Sequence, residues 1–472
     1  MILLFDFTDW QSVIFEALPY LIPEYLLIFG IACLVIFSAF PRTYIFLPYF
    51  ASLILVLEIF FIPSPSQTFF RGIIQHSYFY EKISFIGLLG SLLTLIFSQI
   101  TLKKHLKPEY IIYILAGQLG LQILGLSQNW ILSFIGFELI SFVGYLLVVT
   151  FKESPSASES AIKYFLYGAC SSGIMLYGVS LYYGIHGNIM LGNEWKFSDL
   201  EKMALGLILI GIFFKLSVFP LHFWAPEVYH GAPAATGAWL STVSKLAGIT
   251  LFYAIFKNSI PKDFQYALWI IAIITMFTGN LGILRQNHIY RLMGYSSIAH
   301  SGFLLMNLAI FQNTAQATVL FYSLFSLPIT FLAFYSAYYF SQIADTSDFT
   351  LWNGLGKLYP LLASFFMIAL AGLIGLPPTV GFIAKLYLVL PVWKEYHITQ
   401  NPLIVFVLVA FVINTLLAFA AYSRIAIQLL LRSPNTSGSE RLPIFSIIGI
   451  LWSIIVLLFG VYGFDKILQL LI

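Results

Sequence analysis

Four ionisable side chains stand in stretches that leave little room for charge. They are Glu138 in NWILSFIGFELISFVGYLLV, Lys215 in GIFFKLSVFPLHFWAP, Lys245 in AATGAWLSTVSKLAGITLF and Lys385 in LAGLIGLPPTVGFIAKLYL. A charge at the centre of a membrane helix costs roughly 2.5 to 3.5 kcal/mol on insertion scales, so such groups must face one another or water. Burial disfavours an ammonium and a nearby carboxylate favours it, so a lysine held between the two influences can bind and release protons near neutral pH. That is the property a proton relay needs. The competing reading is a structural Glu138–Lys215 ion pair that joins two helices. Three lysines for one glutamate leave such pairing incomplete.

Polar neighbours could complete a hydrated path: His222 after Pro220, then Ser241, Thr242 and Ser244 before Lys245, Ser296, Ser297 and His300, and Asn414. A single histidine in an apolar stretch is more often a packing residue than a carrier. His222 is the exception, because the backbone carbonyls freed at a proline break attract water. Glu24 and Glu58 lie near the ends of apolar runs, read as interfacial carboxylates, and take no role.

The elements that must hold these groups follow from composition. Of 472 residues, 60% are hydrophobic and 9% charged, against roughly a quarter charged in soluble domains. Runs of about twenty apolar residues match a hydrocarbon layer of roughly 30 Å. Fourteen such runs are predicted, near 20–40, 44–62, 83–101, 109–126, 129–150, 161–185, 203–224, 234–256, 265–284, 294–311, 317–340, 360–390, 402–429 and 443–471. Pro220 in run 7, and Pro377 with Pro378 in run 12, each remove a backbone donor and should interrupt their helices. Interruptions five runs apart suggest paired five-helix units of opposite orientation, with unrelated kinks as the alternative. Loops after odd-numbered runs carry twelve Lys and Arg against eight after even-numbered runs and at the C-terminus, a slight bias toward both termini outside.

Other signals are bland. Cys33 and Cys170 sit in apolar runs and form neither a disulfide framework nor a metal site. Asp6, Asp9 and Glu16 precede the first run where a secretory signal would carry positive charge, so the first helix is expected to stay. No dinucleotide, phosphate, iron–sulfur or zinc motif is present, so no redox chemistry is expected in this chain. The net charge of +3 is too mild and scattered for a nucleic-acid partner, and the Asn435 sequon falls in a loop expected to be inside.

The stretches ASESAIKYFLYGACSSGIMLYGVSLYYG, FKLSVFPLHFWAPEVYHGAPAATGAWLSTVSK, RLMGYSSIAHSGFLLM and LAGLIGLPPTVGFIAKLYL resemble, in order, the antiporter-like membrane subunits of respiratory complex I, most closely the subunit N or chain 2 family. The resemblance implies an all-α polytopic membrane protein of about 14 helices, with two inverted five-helix repeats, discontinuous helices 7 and 12, and a central polar axis. It divides the chain into N-terminal helices at 1–108, repeats at 109–257 and 258–430, and a final helix at 431–472. It matches Glu138, Lys215, Lys245 and Lys385 to the family's relay residues, and His222 to a histidine after the run 7 break. Lysine at 385 favours subunit N over its sisters, which usually have glutamate there. Run 11 and the first three runs match more loosely.

The implied function is proton translocation coupled to quinone reduction elsewhere in an NADH:quinone oxidoreductase. NADH, FMN, iron–sulfur clusters and quinone would belong to other subunits, and the partners would be other membrane-arm subunits and the lipid bilayer. The alternatives are a subunit of a multisubunit cation/proton antiporter of the same fold, and a passive scaffold. The membrane is read as the bacterial cytoplasmic one, with the mitochondrial inner membrane as alternative.

Overall fold

The structure, a computed structural model, describes residues 17–62, 68–102, 105–150, 155–191, 195, 198–256, 260–310 and 313–434. Run 14, the Asn435 sequon and the acidic residues Asp6, Asp9 and Glu16 lie outside them.

The first six runs each fall on one helix: α1 (Ile22–Ser38), α2 (Leu47–Ile59), α3 (Tyr78–Leu102), α4 (Pro108–Leu126), α5 (Trp130–Val149) and α6 (Pro155–His186). Run 7 divides into α7 (Asp199–Leu216) and α8 (Trp224–Gly231), and run 8 into α9 (Ala234–Ser241) and α10 (Val243–Ile255). Then come α11 (Lys262–Arg285), α12 (Ile289–Leu308), α13 (Asn313–Ala344) and the short α14 (Leu355–Leu358). Run 12 divides into α15 (Pro360–Ile374) and α16 (Val380–Thr399), and α17 (Pro402–Ala426) closes the described chain. Among the described residues, eight helices are long and apolar enough to cross a membrane. This is an all-α integral membrane protein, with one small addition that periodicity does not predict: an antiparallel hairpin of β1 (Thr68–Phe69) and β2 (Ile74–Gln75) between α2 and α3.

Local chemistry explains where helices start and stop. Pro108, Pro360 and Pro402 open α4, α15 and α17, where a missing N–H costs nothing. Asn129 and Asn401 accept from the second backbone N–H of α5 and α17, and Ser198 with Glu201 forms a capping box on α7. Gly375 ends α15 at φ +84°, a conformation open to glycine at no steric cost.

Both proline-marked runs are interrupted, at residues 217–223 and 375–379. A third interruption lies at Thr242, without proline. There the Ser241 and Thr242 hydroxyls donate to the Gly237 and Ala238 carbonyls at 2.9 and 2.7 Å, in competition with the helix ladder.

Glu24 and Glu58, read as interfacial carboxylates, are enclosed in the protein: they are 7% and 0% exposed, because the start of α3 and the end of α4 close over them with Tyr80 and Gln122 as partners.

Candidate functional site

The interruption after α7 determines what surrounds Lys215. Ser217 takes a left-handed turn, at φ +58°, and the last carbonyls of α7 need new partners. Phe213 O accepts from Val218 N at 2.8 Å and Phe214 O from Trp224 Nε1 at 3.0 Å, while Leu216 O accepts from the Ser301 hydroxyl on α12. Lys215, 1% exposed, donates to Ser141 Oγ on α5 at 3.0 Å, beside the Phe137 ring at 5.7 Å.

Glu138 lies one turn before Ser141, and its carboxylate accepts from Ser172 Oγ on α6 at 2.5 Å. The direct Glu138–Lys215 ion pair of the competing reading is not made: Ser141 holds the ammonium and Ser172 the carboxylate. A lysine bound to a neutral hydroxyl is less firmly fixed than one bound to a carboxylate.

Lys245 follows the Thr242 interruption by three residues and is 4% exposed. It donates to Ser297 O at 2.5 Å and to Ser301 Oγ at 2.7 Å. Ser301 therefore joins two parts of the site, since the same hydroxyl donates to Leu216 O beside Lys215. Ser297 and Ser301, four residues apart on α12, present this pair on one face.

Lys385, also 4% exposed, lies across the second interruption from the end of α15. It donates to Leu373 O and Ile374 O, each at 2.8 Å, and packs over the Phe303 ring at 4.6 Å. The carbonyls expected to gather water here are held by the ammonium itself.

Lys245 and Lys385 line one cavity of about 50 Å³, with His300 and Tyr322 on the same wall. That is room for several waters. His300 Nδ1 and the Tyr322 hydroxyl are hydrogen-bonded, and Ser296 accepts from Tyr422 at 2.5 Å. The site thus assembles Lys215, Lys245 and Lys385 through Ser301 and the His300 cavity, with Glu138 one turn from Ser141.

Other candidates lie apart. His222 sits in the first interruption against Phe219 and Phe223 and makes no hydrogen bond with the lysines. Asn414 accepts from Asn280 at 3.0 Å and ties α17 to α11. Tyr322, Tyr229, whose hydroxyl is hydrogen-bonded to Ser297 and Ser241 at 3.1 Å each, and Ser301 escape the sequence reading. The Ser297–Ser301 spacing could have revealed the last, whereas a tyrosine in an aromatic-rich chain carries no signal of its own.

The family model described as NADH:quinone oxidoreductase/Mrp antiporter, TM, matches residues 127–418. Subunit N 2 of NADH-quinone oxidoreductase from Chloroherpeton thalassium is 34% identical over 349 residues, 70% of this chain and 67% of that one. Among solved structures, a chain of respiratory complex I from Thermus thermophilus is 24% identical with a TM-score of 0.78, covering 94% of this chain and 98% of that one. A chain of the Mrp complex from Dietzia is 18% identical with a TM-score of 0.82, covering 96% of both. At these identities the two structures establish the fold alone. The matched model and the subunit N relative place the sequence more narrowly: the chain belongs to the NADH:quinone oxidoreductase/Mrp antiporter transmembrane family.

Proposed function

We infer that this antiporter-like subunit of NADH-quinone oxidoreductase translocates protons, and that Glu138, Lys215, Lys245 and Lys385 carry them. The observation that supports this most is the joining of the three lysines by Ser301 and by the cavity that holds His300. An ammonium has three donors. Lys245 and Lys385 each commit two of them to protein acceptors, so the third proton can leave while the neutral amine keeps both bonds. Neither carbonyl nor hydroxyl is then orphaned by the transfer.

His222 would act from the first interruption, exchanging protons with water there rather than within the row. Redox groups and quinone are assigned to other subunits, and the chain's partners to the rest of the membrane arm. Residues 109–257 and 258–430 are taken as its two inverted units, and the bacterial cytoplasmic membrane as its site.

Lys215→Ala tests the reading. In an assembled complex, oxidation of NADH by an artificial acceptor should be unchanged, while proton-coupled quinone reduction falls severely. Normal pumping by that complex would sink the relay. Purification of the chain without a flavin and iron–sulfur arm, and with sodium-dependent proton exchange, would move it to the cation/proton antiporters instead.

A further inference from the structure

At the end of the bundle where α1 and α3 begin and α2 and α4 finish, two carboxylates are enclosed that the relay does not use. Glu24 and Glu58 are buried, and among the described residues neither is in an ion pair. Tyr80 donates its hydroxyl to Glu24 Oε1 at 2.5 Å, and Gln122 Nε2 donates to Glu58 Oε1. That leaves Glu24 Oε2, Glu58 Oε2 and Gln122 Oε1 buried with no donor among the described residues. Turning the Gln122 amide over would not help, since its oxygen would then face Glu58 Oε1. His76, fully buried with both ring nitrogens unpartnered, packs edge-on against Tyr80 at 5.0 Å.

Tyr80, the donor to Glu24, packs against Gly125, one turn beyond Gln122, the donor to Glu58, so both carboxylates are enclosed in one corner. Two ionised carboxylates there are expensive, at several kcal/mol for each buried ion. A single proton answers both defects: it removes one charge and turns one acceptor into a donor. Carboxylates that share a site titrate as a pair for this reason. Of the nearby titratable groups, Glu81 and Lys82 pair with each other at 3.0 Å, and Tyr20 packs on Phe69 at 4.9 Å and on His76 at 6.3 Å.

We propose that Glu24 and Glu58 form a proton-binding pair, holding one proton between them at the outer end of a polar seam between α3 and α4. Gln122 and Gln118 stand one turn apart along α4, and both are fully buried. Gln118 Nε2 donates to Ser84 O at 3.3 Å, and Ser91 Oγ donates to Gln118 Oε1 at 3.4 Å. At that depth α3 meets α10: a Cβ on Gly90 would lie 2.3 Å from Val243, two residues before Lys245. The seam thus runs from the pair to the level of the lysine row.

Infrared spectra of the assembled complex in lipid at neutral pH test the pair. The spectrum of the unmodified complex minus that of Glu58→Gln should contain one carboxylic-acid C=O stretch that shifts in D₂O. Loss of carboxylate bands alone, in both Glu58→Gln and Glu24→Gln, would show both groups ionised, for instance against a cation supplied from outside these helices, and would overturn the proposal. Should the variants fail to assemble, dicyclohexylcarbodiimide labelling of the unmodified complex decides the matter, because it attacks protonated carboxyls in apolar surroundings. An adduct on Glu58 or Glu24 supports the pair; adducts elsewhere and on neither of these refute it. Both readouts report protonation of these residues directly, so they stand whether or not Lys215 carries pumped protons.

Discussion

Gly381 stands in the first turn of α16 where that helix crosses the end of α15. A Cβ added there would lie 2.0 Å from the Gly372 carbonyl oxygen, whereas ordinary Cβ contacts begin near 3.4 Å. Gly381→Ala must therefore part the two backbones by about 1.4 Å, an overpacking that typically costs about 1–3 kcal/mol. Lys385 is one turn further along α16, and its bonds to Leu373 O and Ile374 O are 2.8 Å long. A separation of that size takes both beyond hydrogen-bond range. Displacement of a reacting group by about 1 Å can lower a rate on the order of 10²-fold. Proton pumping by inverted vesicles should thus fall at least about tenfold, with assembly on native gels and NADH oxidation by an artificial acceptor retained. Gly206→Ala, whose Cβ would enter open space, is the control for a glycine lost from a helix. An assembled Gly381→Ala complex that pumps at the unmodified rate would refute the claim that Lys385 works from this seat.

Two other substitutions probe the rest of the row. Ser301→Ala removes one of the two acceptors of Lys245 and the donor to Leu216 O; an unpaired buried carbonyl costs about 1–3 kcal/mol, so thermal scans should show earlier unfolding and pumping should slow. Ser301→Thr keeps the hydroxyl and should retain most of both, so equal loss in the two variants counts against the hydrogen-bonded link. Glu138→Gln removes the carboxylate one turn before Ser141, the partner of Lys215; where that charge favours the ammonium, its loss moves the pH profile of turnover to lower pH. An unchanged profile would show that the two groups do not interact.

The features legible in the sequence are those that apolar surroundings make conspicuous. An ionisable residue inside a twenty-residue apolar run stands out because lipid penalises it, so Glu138, Lys215, Lys245 and Lys385 are identifiable from residue type and position alone. Pro220 and Pro377–Pro378 likewise mark two helix breaks through a missing backbone donor. The break at Thr242 is hidden, because serine and threonine hydroxyls bend a helix only where they turn back on its carbonyls, and the sequence does not say which way they turn. The burial of Glu24 and Glu58 is hidden for another reason. Reading a helix end as interfacial assumes that it meets the bilayer surface, and here neighbouring helices and their Tyr80 and Gln122 intervene.

The two broken runs use their lysines in opposite ways, and the difference bears on how protons pass. Lys215 sits on the helix whose carbonyls are freed, and its amine is bound to Ser141 on α5. The freed Leu216 carbonyl turns to Ser301, and through it to Lys245. Lys385 sits beyond its break, and its amine closes the end of α15 directly, where a cation also meets the negative end of the helix dipole. The first break is therefore open toward the row and the second is sealed by a residue of the proposed relay. On that proposal a sealed lysine would pass protons through its remaining donor alone, and the cavity shared with Lys245 and His300 is where that donor has room to meet water. In the proposed relay, proton passage at Lys385 then requires no opening of the α15–α16 break, and Lys215, bound to the Ser141 side chain, can exchange its proton without disturbing a helix end.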